Sequence, residues 1–462
     1  HMLLSGCNGF IRYDFLATLF TITFSHHTFL AYQIRFIMKR KHLLKRLLGF
    51  VFLSLFDIPF ATANENPIVI MIGVDGLRAD TLERMPAPNL QLLADFGVRA
   101  SMIPAMPTTT FVNFYSLATG LHPKHHGLIS NYPYDRELGR KFNPRTDAGD
   151  PQWWNGEPIW ITAEKQGVKA ATYFWVGSEV EIDGVRPSIW KPYQKNKDYA
   201  ERVLEVLQWL ALPKSQQPRL ITLYFSAVDT AAHNFGVDSA QEREAVARVD
   251  KHVGDLVMGI KKLGLEQRTN IVVVADHGMA NLSDERVINL DPWVDLSVFM
   301  VPDWSNKRTS VQAPFLNLYA SPELVDTAYT KLHKAHPKMR VLRRGDFPTS
   351  YHFDHPQREP DLMLLADAGW SIYASRDKHQ SQPMAKSGQS IATHGYDNQN
   401  PLMHASFIAK GPAFKKKIIA RPFDNIDVYG LLACALKIKP AKTDGNIKNV
   451  QYFMTEYCQS SE

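Results

Sequence analysis

Three short apolar runs in this 462-residue chain each end in an acidic residue. After Pro67–Val74 (PIVIMIGV) come Asp75 and Gly76. After Leu220–Ser226 (LITLYFS) comes AVDTAAH, which places Asp229 and His233 at i and i+4. After Asn270–Ala275 (NIVVVA) come Asp276, His277 and Gly278. His394, in THGYDN, completes a set of three aspartates and three histidines. Carboxylate oxygen and imidazole nitrogen are the donors that zinc and similar divalent metals take. Six such donors match two catalytic metals with three protein ligands each, both keeping an open position for substrate.

A hydroxyl stands ready beside them in sequence. Met106 to Gly120 reads MPTTTFVNFYSLATG, with Thr108, Thr109 and Thr110 in a row. A hydroxyl is a poor nucleophile at neutral pH, and a coordinating metal lowers its pKa. A two-metal site with a nearby hydroxyl therefore points to phosphoryl transfer through a covalent intermediate. Each feature has a plainer reading when taken singly. An aspartate after a strand often caps a helix, an Asp-x-x-x-His pair shares a helix face by chance, and a threonine triplet suits a turn edge. The coincidence at three strand ends is what outweighs these.

The elements that must position these residues are legible as a pattern. The three runs, with Lys169–Trp175 (KAATYFW), are rich in Val, Ile and aromatics and read as strands buried on both faces, as in a parallel sheet. Between them, Val203, Val206, Leu207 and Leu210 repeat at helix spacing, as do Val246, Val249, Val253, Leu256, Ile260 and Leu263. The second helix carries a capping box, Ser239 with Glu242, and a terminating Gly264. Strands alternating with helices give a doubly wound α/β fold, in which ligands gather beyond the carboxyl ends of the strands. Residues near 283 to 385 break the rhythm and read as an insertion or smaller subdomain within a catalytic domain of residues 64–462. The core resumes at His394.

The front end is separate. Residues 38–63 run from a basic n-region (Lys39, Arg40, Lys41, Lys45, Arg46) through an apolar Leu47–Phe56 to Ala61-Thr62-Ala63, the layout of a signal peptide cleaved after Ala63. An uncleaved anchor is the rival reading. Residues 1–37 read as a tag scar followed by translation from an upstream start. The chain's net charge of +6 lies mostly in this arm: residues 1–63 hold seven of the 52 basic residues and two of the 46 acidic ones, leaving about +1. Nothing here suggests binding to a nucleic-acid polymer, and no stable membrane anchor is expected after cleavage. Export implies the periplasm in a Gram-negative source and secretion otherwise. Cys434 and Cys458 survive processing; they form either a disulfide or one buried and one tail thiol, and no cysteine-type zinc site.

IGVDGLR, PTTTFVNFYSLATGLHPKHHGLISN, WWNGEPIW, FWVGSEVEI, AVDTAAHNFG, ADHGM and HGYDNQNPLMHASFIAKGPAF occur in this order. Together they resemble the catalytic domain of the nucleotide pyrophosphatase/phosphodiesterase family, in the alkaline phosphatase superfamily, over roughly Asn66 to Gly445. The resemblance implies an alkaline-phosphatase-like sheet and two zinc ions, although manganese and iron suit the same donors. It makes Thr110 the nucleophile and leaves Thr108 and Thr109 structural. One zinc would take Asp75, Thr110, Asp276 and His277, the other Asp229, His233 and His394. Asn131 would hold the phosphoryl oxygens, aided by a backbone N–H near Thr110. Phe111 and Tyr193 would flank a nucleobase, a contact worth about 1 kcal/mol, with Tyr224 as a further aromatic lining residue. The chain departs from the family pattern at Val112, Phe114 and Pro144, which bears on substrate choice and not on the metal donors.

The activity implied is hydrolysis of nucleotide phosphodiester or pyrophosphate bonds to a nucleoside monophosphate through a phosphothreonine intermediate. A choline phosphodiester or lysophospholipid substrate would need a cage for a quaternary ammonium, which the sequence does not locate. A phosphomonoesterase would want an arginine near the nucleophile, and MPTTTFVNF offers none. A metal-stabilised binding protein leaves the intact nucleophile unexplained. Other clusters read as structural: His352, Asp354 and His355 as a surface loop, His125 and His126 at a turn, and Trp153, Trp154 and Trp160 as core.

Overall fold

The computed structural model describes residues 66–304, 308–376 and 391–455. Residues 38–63, expected to be a signal peptide, residues 1–37 and Cys458 lie outside them. Cys434 is disulfide-bonded. Among the described residues, no helix is long and apolar enough to cross a membrane.

Nine strands make the main sheet: β1 (Ile68–Val74), β2 (Val98–Ile103), β3 (Ala170–Tyr173), β4 (Ile189–Lys191), β5 (Leu220–Phe225), β6 (Thr269–Val274), β7 (Ala405–Lys410), β8 (Ile418–Ile419) and β9 (Phe423–Asp424). Their order is β8-β2-β7-β6-β1-β5-β3-β4, with β9 also on β2. Only β7 runs against its neighbours; the other pairings are parallel. The four apolar runs are therefore strands of one mostly parallel sheet. Every residue of β1, β3, β5 and β6 is buried, as continuous Val/Ile-rich runs require when helices cover both faces.

Helices flank the sheet. α1 (Thr110–Thr119) packs with the helices at Ile159–Lys165 and Asp427–Leu436. α2 (Tyr199–Leu210), α3 (Ala227–Phe235) and α4 (Ala240–Lys262) pack together. Ser239 caps α4, its Oγ accepting the Glu242 N–H at 3.0 Å. The expected capping box closes one residue further out: the Glu242 carboxylate accepts the N–H of Asp238, not Ser239, at 2.6 Å. Asp238 has φ 68°, a left-handed conformation, and so offers its own N–H there. Gly264 ends the helix at φ 69°, as a left-handed C-terminal residue should.

Residues 287–375 hold two three-stranded sheets. One joins Val287–Asn289, Ser371–Ser375 and Ser310–Ala313; the other joins Phe315–Leu318, Leu362–Ala366 and Met339–Arg343. They enclose an apolar core of their own, including Leu290, Leu316, Leu332, Leu364 and Ile372. This region reaches the main domain through Arg358, which donates to Asp135, to the carbonyls of Gly127 and Trp153, and to Gln152 O. It thereby holds both ends of the segment that carries Asn131.

Candidate metal centre

The register of three adjacent strands builds the site. Gly73 of β1 lies opposite Tyr224 of β5 and Val274 of β6, so the residues that follow emerge at one edge of the sheet. Asp75 follows β1, α3 follows β5 with Asp229 and His233 on it, and Asp276 and His277 follow β6. The turn after β1 needs glycine. Gly76 has φ 72°, and a Cβ there would stand 2.9 Å from the Asp229 Cα. Its N–H donates to Asp276 Oδ1 at 3.1 Å, and the Asp229 N–H donates to Asp75 O at 3.0 Å. The backbone thus ties the three acidic residues together.

The sequence-predicted donors converge. Asp229, His233 and His394 offer atoms within 4.8 Å of one another, and so do Asp75, Asp229 and His277. Asp276 Oδ2 lies 3.0 Å from His277 Nε2. The division differs from the expected one, because Asp229 faces both groups: it stands on α3 where that helix meets the turn after β1. Thr110 opens α1, and its Oγ1 lies 3.2 Å from His277 Nε2.

Several observations fit this pocket to cations. Asp75 Oδ1, Asp229 Oδ1 and Asp276 Oδ2 are buried and accept no hydrogen bond. Among the described residues, no lysine or arginine pairs with these carboxylates; their ionic neighbours are imidazoles. Each of the three histidines directs Nδ1 at a backbone carbonyl: His233 to Ala392 at 2.8 Å, His277 to Gly278 at 3.0 Å and His394 to Thr108 at 2.8 Å. Nδ1–H donation of this kind leaves Nε2 as the lone-pair nitrogen, the tautomer that a metal requires. Buried oxygens and nitrogens that can only accept are costly unless a cation sits among them.

The electrostatics agree. Burial, then the charges of Asp276 and Asp229, push the Asp75 carboxyl well above its usual range. Burial also pushes Asp229 up, but His233, His394 and His277 outweigh it and hold its carboxyl at about 2. Burial, then the charge of His277, keeps His394 well below the usual imidazole range; the two rings stack with centroids 3.5 Å apart.

The residues beyond the donors need more comment. Asn131 Oδ1 accepts the N–H of Phe111 at 2.9 Å. The Phe111 N–H, one of the backbone N–H groups near Thr110, is therefore paired with the Asn131 carbonyl, which fixes the side chain and leaves its NH2 as the donor. Tyr224, expected as a lining ring, is buried, and its hydroxyl donates to Asp75 Oδ2 at 2.5 Å. It orients a carboxylate of the centre. Tyr193 is half exposed, standing edge-on to Phe174 at 5.4 Å and near Tyr224 at 6.3 Å. Val112 and Phe114 are buried; Phe114 packs against Trp175 and Tyr224, so these departures are core positions.

The other clusters do not form metal groups among the described residues. His126 is buried against Ser116 at 2.9 Å, and His125 pairs with Asp444. Trp153, Trp154 and Trp160 are core. The loop at 352–355 is less superficial than expected: His355 is 8% exposed, and its Nδ1 accepts the Gln357 N–H, while His352 stacks on His122 at 3.7 Å. Thr108, expected to be structural, is so: its hydroxyl donates to Tyr396 O at 2.9 Å and accepts the Gly395 N–H at 3.0 Å, and what sequence reasoning missed is that it braces the loop of His394. Its place in the triplet was the only signal available.

Comparison with known proteins places this arrangement. A family model described as type I phosphodiesterase/nucleotide pyrophosphatase matches residues 69–397. A venom phosphodiesterase of Crotalus durissus collilineatus is 37% identical over 84% of this chain and 47% of its own length. Ectonucleotide pyrophosphatase/phosphodiesterase family member 3 of Bos taurus is 36% identical over 84% of this chain and 44% of its own. The chain thus spans about half the length of these relatives. It spans 78% of an uncharacterised pyrophosphatase/phosphodiesterase of Schizosaccharomyces pombe, at 35% identity over 82% of the chain. Among solved structures, murine ectonucleotide pyrophosphatase/phosphodiesterase 5 superposes with a TM-score of 0.77 at 29% identity, covering 84% of this chain and all of that one. An inactive Thr→Ala variant of that protein, in complex with AMP, superposes at 0.76 with 28% identity over the same share of both chains.

Proposed function

The chain belongs to the type I phosphodiesterase/nucleotide pyrophosphatase family of the alkaline phosphatase superfamily, and from that premise we propose an exported, zinc-dependent hydrolase of nucleotide phosphodiester and pyrophosphate bonds that releases a nucleoside monophosphate. The observation that carries the reading is Thr110 Oγ1, half-buried at the N-terminus of α1, 3.2 Å from His277 Nε2 and beside carboxylates that pair with no lysine or arginine among the described residues. Asp75, Asp276 and His277, with Thr110, would hold one metal, and Asp229, His233 and His394 the other, with the Asp229 carboxylate facing both. When bound, two divalent cations would supply Lewis acidity to the phosphoryl oxygens and lower the pKa of a coordinated hydroxyl.

The chain's own residues supply the rest. Thr110 Oγ1 gives up its proton to solvent and bonds to phosphorus, while the bond to the leaving oxygen breaks and that oxygen departs with the electron pair, taking a proton from water where its pKa requires one. Its position at the positive end of α1 favours the anionic oxygen. The Asn131 NH2, held in place through Phe111, donates to a non-bridging oxygen as charge gathers there. A water then bonds to phosphorus from the vacated side and frees Thr110. Phe111 and Tyr193 offer apolar faces to a flat base, which favours esters bearing a nucleoside; the AMP complex of the related inactive enzyme supports this class. Export rests on the signal-peptide layout of residues 38–63.

The test compares initial rates of the zinc-supplied protein on p-nitrophenyl thymidine monophosphate, p-nitrophenyl phosphorylcholine and p-nitrophenyl phosphate, with Thr110→Ala beside the wild type. Fast cleavage of the thymidine ester, abolished by the substitution, is expected. Preference for phosphorylcholine would keep the nucleophile and overturn the base pocket. Full activity in Thr110→Ala would sink the covalent mechanism.

A further inference from the structure

Arg202, on α2, is wholly buried. Among the described residues, no carboxylate forms an ion pair with it. Its guanidinium donates instead to two backbone carbonyls: Nη1 to Tyr224 O at 2.6 Å, and Nε and Nη2 to Lys197 O at 3.2 and 2.9 Å. It lies 4.8 Å from the ring centre of Phe174 and 4.6 Å from that of Tyr199. A buried charge with no counter-ion is costly, so what it joins matters.

It joins the strand end behind the metal centre to the loop that carries Tyr193. Tyr224 O belongs to the residue whose hydroxyl holds Asp75. Lys197 closes a turn onto Gln194 O, directly after Tyr193. The start of the same segment is pinned separately, the Tyr193 N–H donating to Glu179 Oε1 at 3.0 Å. Phe174, under the guanidinium, has φ 66°, a left-handed conformation costly for an aromatic residue, and supports the Tyr193 ring at 5.4 Å. The half-exposed ring thus stands on a frame in which Arg202 ties the turn, the strand end and the supporting ring together.

We propose that Arg202 is a positioning residue for the ring of Tyr193, setting the KM for substrates with a flat base while leaving the phosphoryl chemistry to other residues. The proposal rests on the base-stacking reading above. Arginine suits the task because its planar fork reaches two carbonyls and stacks on a ring at once, which lysine cannot do.

The test measures kcat and KM on p-nitrophenyl thymidine monophosphate and on methyl p-nitrophenyl phosphate, which has no base. Four zinc-supplied proteins are compared: wild type, Arg202→Lys, Tyr193→Ala and the double variant. Arg202→Lys is expected to raise KM by up to about fivefold for the thymidine ester and less than about twofold for the methyl ester, a loss of uniform binding no larger than the base contact itself. In the Tyr193→Ala background the same substitution should add nothing, since the two effects share one contact. An equal loss on both esters, or an undiminished effect without the Tyr193 ring, overturns the proposal. If the lysine variant does not fold, Phe174→Leu removes the ring between Arg202 and Tyr193 and is read by the same split, with the same outcomes. If Tyr193→Ala leaves the thymidine KM at the wild-type value, the base-stacking reading falls and takes this proposal with it. If Tyr193→Ala raises that KM and Arg202→Lys does not, only this proposal falls.

Discussion

The carbonyl oxygen of Thr108 accepts the Nδ1–H of His394 at 2.8 Å, across 286 positions of sequence. The Thr108 hydroxyl bonds the next two residues of that loop, Gly395 and Tyr396. The three consecutive threonines therefore divide their work. Thr108 fixes His394, Thr109 is the residue before α1 with its hydroxyl buried, and Thr110 presents its hydroxyl to the centre.

Thr108→Val keeps the shape and removes both hydroxyl bonds, leaving a buried N–H and carbonyl unpaired. Stability should fall by about 1–3 kcal/mol. Affinity for zinc should fall by less than the about 10–100-fold that follows loss of a ligand's direct partner, because the Thr108 carbonyl that accepts the His394 Nδ1–H is kept. Urea unfolding and a competitive zinc titration check the two separately; unchanged zinc affinity would show that the hydroxyl bonds to Gly395 and Tyr396 do not help to place His394.

Zinc should stabilise the apoprotein, because it binds a donor set that only the folded chain assembles. At free metal about 1,000 times its Kd, the gain is about 4 kcal/mol per site. Thermal melts across a zinc titration should rise and saturate at about two equivalents, in keeping with two three-ligand sites. Saturation at one equivalent would mean that the shared Asp229 serves a single metal.

Arg358→Met should destabilise the fold by about 3–5 kcal/mol, since it leaves the buried Asp135 carboxylate, 2.8 Å from the guanidinium, without its partner. The segment between Gly127 and Trp153 loses its anchor, so kcat should fall along with stability if Asn131 acts in turnover. Urea unfolding and steady-state rates at a temperature where both proteins are folded distinguish the two effects.

His355 should make the protein sensitive to acid. Burial, then the Arg358 charge, lowers its pKa from the usual 6.5 to about 4. Between those values the unfolded chain binds a proton that the folded chain refuses, so stability rises with pH across this window and is lost as pH falls through it. The full effect is about 3 kcal/mol. Comparing pH-dependent unfolding of wild type and His355→Asn isolates it: the variant should show a shallower slope from pH about 4 to about 6.5, and an equal slope would assign the sensitivity elsewhere.

Much of the centre was legible because it is local. An apolar β-run followed by Asp, as at Val74-Asp75 and Ala275-Asp276, states both the strand and the group at its end, and parallel pairing brings such ends to one edge. The resemblance of the motifs then separated Thr110 from its neighbours, which spacing alone could not do. The sequence by itself thus determined the donor types and the strand ends that carry them. Only the tertiary structure decided that β1 lies between β5 and β6, that Asp229 faces both metal groups, that Tyr224 holds Asp75, and that Thr108 and Arg202 support residues far away in the chain. Those relationships are hydrogen bonds and ring contacts between segments whose adjacency depends on strand order and on the packing of the loops. No local pattern encodes them, because their partners become neighbours only once the sheet has formed.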